Sequence, residues 1–251
     1  MENELESVGK CKLIGDFVFF SSGPFSQWYK RDFEQIIPSG FFEKPMVFNC
    51  CEQAMMWNKA SIFGDYGMLG RIEDTDSPRK QKMLGRKVKG FDSARWDKCK
   101  FGVVYGNNLD KFVQHDDLKK LLLSTGKKVI AEASPWDSIW GIGMSVDSAD
   151  ILDTSKWGQN LLGKALMEVR EDIHTIEEAF GDLSNIEHDK RVYSGSLLVR
   201  AEKKLNKICP QCGSRNIRHK DYKGCSPDGG IEGEHCLDCG RWFNTREVYT
   251  E

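Results

Sequence analysis

Residues 47–60 read VFNCCEQAMMWNKA, and how this stretch is read decides the fold and the site together. Glu52 stands among Met55, Met56, Trp57 and the adjacent Cys50 and Cys51, in what reads as the first turns of a helix stopped by Gly64. A carboxylate there has two readings. It is a helix-start charge turned to water, where it complements the positive end of the dipole, or an acid or base inside a pocket. Taken alone, the stretch favours the first.

The pattern on either side is mostly helical. SPRKQKMLGRKV (77–88) predicts a helix with Ser77 as N-cap and Pro78 at its first position. ARWDKCKFGVVYGNNLDKFVQ (94–114) keeps apolar residues at helical spacing. DDLKKLLLSTG (116–126) follows, with Asp116 as a cap and Gly126 as a stop. LLGKALMEVREDIHTIEEAF (161–180) predicts a long amphipathic helix. Residues 17–48 read as short extended pieces and loops, and KKVIAEAS (127–134) as a strand. The fold class expected is mainly α: a compact helical domain over 1–180 with a few short strands, a polar connector over 181–205, and a small β-rich tail over 206–251.

Composition narrows the function classes. The 251 residues are 39% hydrophobic and 29% charged with a formal net charge of -2, ordinary for a globular chain and unlike a strongly basic nucleic-acid binder. The opening MENELESVGK is polar and acidic rather than a signal peptide, and no apolar run reaches the roughly 20 residues of a membrane span. Nine cysteines without an export signal point to reduced thiols, metal ligands and a cytoplasmic setting. No Walker loop, GxGxxG, HExxH or GxSxG is present.

The tail carries a metal signature. CPQCG (209–213) and CLDCG (236–240) form C-x2-C-x23-C-x2-C, the spacing of a zinc ribbon. Cys209, Cys212, Cys236 and Cys239 are the expected ligands of a closed, structural Zn2+ site that substitutes for a missing core. Cys225, His219 and His235 break the paired pattern and read as non-ligands. Arg215, Arg218, Lys220 and Lys223 gather around Tyr222 between the knuckles, a candidate phosphate-contacting hairpin and so a candidate nucleic-acid partner surface. Cys50 and Cys51 lack a CxxC partner and read as small hydrophobes.

In the large domain, tryptophans recur beside polar residues in ARWDK, SPWDSIWGIG and KWGQN, a pattern suited to stacking on a planar base. Here the chain resembles the NADAR, or YbiA-like, family. The matching segments run in order as GPFSQWY (23–29), CEQAMMWNKA (51–60), LGRKVKGFD (84–92) with RWD (95–97), DKF (110–112), LLLSTG (121–126), EASPWDSIWGIGM (132–144) and WGQNLLGKALMEVR (157–170). The resemblance implies a compact YbiA-like helical fold and cleavage of N-glycosidic bonds between ribose and a base or amine. Substrates known in the family include riboflavin-pathway intermediates and ADP-ribose attached to guanine in nucleic acid.

Carried over by residue, the resemblance implies Glu52 and Asp137 as catalytic carboxylates and Trp96, Trp140, Asn160, Arg86, Lys59, Ser26 and Gly141 as substrate contacts, with no metal needed for catalysis. Two departures stand out. Ser26-Gln27 replaces the frequent Ser-Asn, and Ile142 stands where some members carry Asp. The expected activity is release of ADP-ribose from an ADP-ribosylated nucleobase, with the ribbon helping to hold a polymer. The alternatives are a small-molecule N-glycosidase on riboflavin intermediates or NAD-derived nucleotides, and a module that binds ADP-ribose without hydrolysing it. Apolar neighbours would raise the pKa of Glu52 and Lys59 would lower it, and the sequence does not fix the sum.

Overall fold

Strand β2 (Phe17–Phe20) is the seam of the molecule, because both of its faces are buried. Side chains alternate across a strand, so Val18 and Phe20 join the large core under the helices while Phe19 enters a second, smaller core. β1 (Cys11–Ile14) pairs with it antiparallel and β5 (Val129–Glu132) pairs parallel, Phe17 opposite Val129 and Phe20 opposite Glu132. A parallel pair needs a long crossover. That crossover is the helical body: a ribbon of β3 (Phe33–Gln35) and β4 (Met46–Phe48), then α2 (Cys51–Ile62), α3 (Tyr66–Glu73), α4 (Pro78–Gly85), α5 (Ser93–Gln114) and α6 (Asp116–Leu123). A short α1 (Glu2–Ser7) precedes β1, and α7 (Leu161–Phe180) closes the domain. The structure is a computed structural model that describes residues 2–36, 45–187 and 198, together with the backbone of 217–222, 231–236 and 242–244.

The layers follow from these patterns. α7 buries Leu162, Leu166, Val169, Ile173 and Ile176, at helical spacing, against α5 and β5. Each such side chain contributes roughly 2 kcal/mol. On the sheet's other face lies the 133–158 segment, where Ala133, Ile142 and Ile151 pack on Phe19, and the Trp157 ring meets Phe17 and Phe19 edge-on at 5.5 and 5.8 Å. α2 is the central helix, packed by α3, α4 and α5, and residues 51–57 are all buried. Gly85 permits the approach of α4, since a Cβ there would overlap Met56.

The helices over 94–114 and 161–180 and the strand in 127–134 stand as expected, whereas α1, α3 and β1 were not anticipated. Three terminal details differ. Ser77 occupies the N-cap position of α4 but makes no capping bond, α4 ends at Gly85 rather than 88, and His115 rather than Asp116 occupies the N-cap position of α6, also without a capping bond. Cys50 and Cys51 are fully buried, and burial pushes the Cys50 thiol up to about 12 and raises that of Cys51 as well, so both are inert packing groups. No helix among the described residues is long and apolar enough to cross a membrane.

In the tail, β6 (Ile217–Tyr222), β7 (Ile231–Cys236) and β8 (Trp242–Asn244) form an antiparallel sheet in the order β6-β7-β8. Cys236 ends β7, while Cys209, Cys212 and Cys239 lie outside the described residues, as do Arg215 and Lys223. Most of the expected connector, 188–197 and 199–205, lies outside them too, but Leu183 and Leu198 belong to the large core.

The junction of α7 and β5 is the tightest backbone contact near the site. A Cβ on Gly163 would run into the Ile130 carbonyl and the Asn160 amide, neither of which can retreat. Gly163→Ala is expected to cost about 3 kcal/mol despite alanine's better helix propensity, read as a lower urea midpoint at unchanged slope.

Candidate active site

Glu52 is 4% exposed, an unusual position for a carboxyl in a helix's first turn. The cause is the chain before it. The 23–29 loop folds over the start of α2, and the Glu52 N–H donates to the Gln27 carbonyl at 2.9 Å. That loop is anchored in turn by Lys111, whose Nζ donates to the Pro24 carbonyl, and by Gln27, whose Nε2 donates to Asn108 Oδ1. The Glu52 side chain accepts a bond from Trp28 Nε1 on Oε2 at 3.2 Å, and its Oε1 is buried without a partner. Burial raises the carboxyl to about 7, against the opposing pull of Lys82 and the Trp28 N–H. Asp137 adds to the rise and Arg86 works against it.

A second glutamate shares the site. Glu132 ends β5, and its backbone is held from both sides: its N–H donates to Asn160 Oδ1 at 3.1 Å and its carbonyl accepts from Ser134 and Ile142. Its Oε2 is buried and unpaired, and burial followed by the charge of Asp137 pushes its carboxyl to about 7. Asp137 sits beyond it in a tight loop, with Oδ1 accepting the N–H groups of Ile139 and Trp140 at 3.0 and 2.8 Å. Lys82 and Asp137 are the two charges felt by both glutamates.

Cations and aromatic rings form the rest of the wall. Lys82 and Arg86 lie one helical turn apart on α4 and at its C-cap. The Lys82 ammonium stands 5.8 Å from the centre of the Trp28 ring. Lys59, two turns after Glu52 on α2, places its ammonium 4.0 Å from the Phe91 ring centre and 5.6 Å from that of Trp96. Burial and the nearby Arg86 charge both lower the pKa of Lys59, and Glu52 raises it. Half-buried Lys59 and exposed Arg86 thus repel one another. Asp92 caps α5 by accepting from the Arg95 N–H, which fixes the turn that carries buried Trp96.

The structure thus brings Glu52, Asp137, Lys59, Arg86 and Trp96 together, and gives four other expected substrate contacts structural interactions of their own. The Asn160 amide is consumed by β5, accepting from Glu132 N–H and donating to the Ile130 carbonyl, with its own backbone in the left-handed region at φ 49°. Ser26 Oγ accepts from the Trp28 N–H and holds that turn. Gly141 lets the loop close on β5, since a Cβ would strike the Glu132 and Asp137 carbonyls. Trp140 is half-buried against the large core. Ile142 is a core residue of the second cluster, so the buried second carboxylate comes from Glu132 instead.

Glu132, Lys82 and Trp28 are the site residues that the sequence reading passed over. Signals existed for two of them. Glu132 is the charge at the carboxyl end of an apolar strand, where sites gather in α/β sheets. Lys82 lies four residues before Arg86.

Comparison with known proteins follows the same outline. The NADAR domain family matches residues 18–174. An N-glycosidase of Acanthamoeba polyphaga mimivirus is 44% identical over 149 residues, covering 59% of this chain and 86% of that protein. The protein irg-1 of Caenorhabditis elegans is 36% identical over 163 residues, covering 61% and 77%. The NMR structure of the E. coli protein YbiA superposes with a TM-score of 0.51 at 25% identity, covering 66% of this chain and 89% of that one.

The burial of Glu52 has a consequence for stability that needs no substrate. Its folded-state pKa is raised from 4.5 to about 7, so the neutral form is favoured in the fold. Its contribution is therefore fully present below about 4.5 and is lost as pH rises through about 7. Glu52→Gln should stabilise the protein at pH 8 by on the order of 3 kcal/mol, with the gain vanishing near pH 4.5. Thermal unfolding of both proteins across that range measures it.

Proposed function

The chain belongs to the NADAR domain family, and on that premise we propose that it is an N-glycosidase whose chemistry is carried by buried Glu52 and half-buried Glu132. The observation behind this assignment is that each glutamate buries an oxygen with no protein partner in one site. Relatives named N-glycosidases support the reaction class.

Hydrolysis of an N-glycoside builds positive charge on the ribose, requires a proton for the departing base, and ends with water at the anomeric carbon. Burial brings both carboxyls to about 7, and their neighbours separate their roles. Glu52 has the Trp28 N–H, Lys82 and Arg86 favouring its ionised form. It is the carboxylate that faces the cationic ribose and takes a proton from water. Glu132 has Asp137 and Glu52 favouring its neutral form and only Lys82 opposing. It is the acid that protonates the leaving base. Asp137, with Oδ1 committed to its own loop, sets the field around both glutamates and keeps its second oxygen for ribose hydroxyls.

Lys59 and Arg86 suit a phosphate on the ribose side, and the Phe91 and Trp96 rings hold the Lys59 ammonium in place to meet it. A ribose carrying phosphate fits both ADP-ribose attached to a nucleobase and a ribose 5-phosphate intermediate. We favour the former, an ADP-ribosylated base such as guanine in DNA, because the tail pairs a CxxC…CxxC signature with a basic β6 strand carrying Arg218 and Lys220. Four thiolates from Cys209, Cys212, Cys236 and Cys239 would hold structural Zn2+, and the antiparallel β6-β7-β8 sheet is the backbone that such a ribbon uses.

Glu52→Gln and Glu132→Gln should each lower kcat on ADP-ribosylated DNA by about 10²–10⁴-fold, with released ADP-ribose followed by mass spectrometry. In the wild type, kcat/KM should peak near pH 7 and fall on both sides, because the base must be ionised and the acid protonated. Turnover of riboflavin intermediates but not of the DNA would turn the assignment to the small-molecule reading. Removing residues 206–251 should weaken binding to the DNA in a salt-dependent way, and metal analysis of the whole chain should find one zinc.

A further inference from the structure

Trp28 is 44% exposed, yet its one polar atom points inward onto a buried carboxylate. An indole kept for packing would be buried, and one kept only as a stacking wall would leave its N–H to water. Here two links tie it to Glu52. The Glu52 N–H donates to the Gln27 carbonyl, one residue before Trp28, and Trp28 Nε1 donates to Glu52 Oε2. The Ser26 hydroxyl accepts from the Trp28 backbone N–H, and Lys111 fixes the loop at Pro24, so the loop that carries the indole is held against α2. The Lys82 ammonium lies over the same ring, within the reach of a cation–π contact.

We propose that Trp28 is a positioning residue that engages Glu52 Oε2, leaves Oε1 as the single oxygen presented to substrate, and holds Lys82 against the pair. This rests on Glu52 acting as the base. A carboxylate with both oxygens free can rotate between equivalent poses, and a donor fixed on one oxygen removes that freedom. It also favours the ionised form, which is the form a base needs. Phenylalanine would keep an aromatic ring beside Lys82 and lose the N–H together with the smaller ring that carries it. Alanine would lose both.

The test compares wild type, Trp28→Phe and Trp28→Ala, after thermal unfolding confirms that each folds. Carboxyl-labelled glutamate followed by 13C NMR reads the titration of Glu52, assigned by the signal missing from Glu52→Gln, without substrate. Trp28→Phe should raise the Glu52 midpoint by about half a pH unit or more. It should also move the acidic limb of the pH–rate profile by the same amount and lower kcat about tenfold, with KM within about twofold of wild type. Trp28→Ala should add a rise in KM as Lys82 is released. A wild-type midpoint in Trp28→Phe, or a shifted midpoint with unchanged kcat, overturns the proposal. If the wild type cleaves no N-glycoside, the assigned reaction fails instead, and the titration still decides whether the indole governs Glu52.

Discussion

An unpartnered carboxyl oxygen at the start of a buried helix is a cost that the rest of the fold must cover. Glu52 Oε1 lies on a helix whose first two turns are buried throughout, and desolvation outweighs Lys82, the Trp28 N–H and Arg86. Leaving a buried polar atom unsatisfied costs about 1–3 kcal/mol. The surroundings meet that cost by enclosing α2 in α3, α4 and α5 and by capping its start with a loop pinned through Lys111 and Gln27.

The second carboxyl arrives by a different route, which explains why the two glutamates are not redundant. Glu132 is delivered by a strand end that Asn160, Gly141 and Gly163 clamp between α7 and the 134–143 loop. Asn160 spends its side-chain amide on β5, and Gly141 and Gly163 admit close backbone approach, so the three set the path of the strand end that carries Glu132. Ile142 makes the same point from the apolar side, since its N–H closes onto the Glu132 carbonyl while its side chain anchors the loop in the second core.

Much of the fold could be read from the sequence because α5, α7 and β5 bury regular faces, and regular faces leave periodic signals. α7 is legible from Leu162, Leu166, Val169, Ile173 and Ile176 alone. α3 was not, because only Met68 and Ile72 are buried and three of its eight residues are Gly67, Gly70 and Arg71. In the site, Glu52, Asp137, Lys59, Arg86 and Trp96 were legible through their motifs. Glu132 was hidden because a strand-end glutamate looks like a solvated charge until the loop folds back over it. Trp28 was hidden because its role lies in one N–H whose direction only the loop geometry sets.

The charges in the site are arranged so that no one interaction neutralises it. Lys82 is felt by both glutamates and Asp137 opposes it at both, while Lys59 and Arg86 repel one another nearby. A closed ion pair between Lys82 and either glutamate would stabilise the fold and remove a titrating group from the neutral range. Among the described residues no such salt bridge forms, and both carboxyls remain near 7. The cations and the carboxyls that titrate near neutrality are thus held apart within one site. In the reaction proposed above, the phosphate and the leaving base of the substrate would each complete one of these two sets.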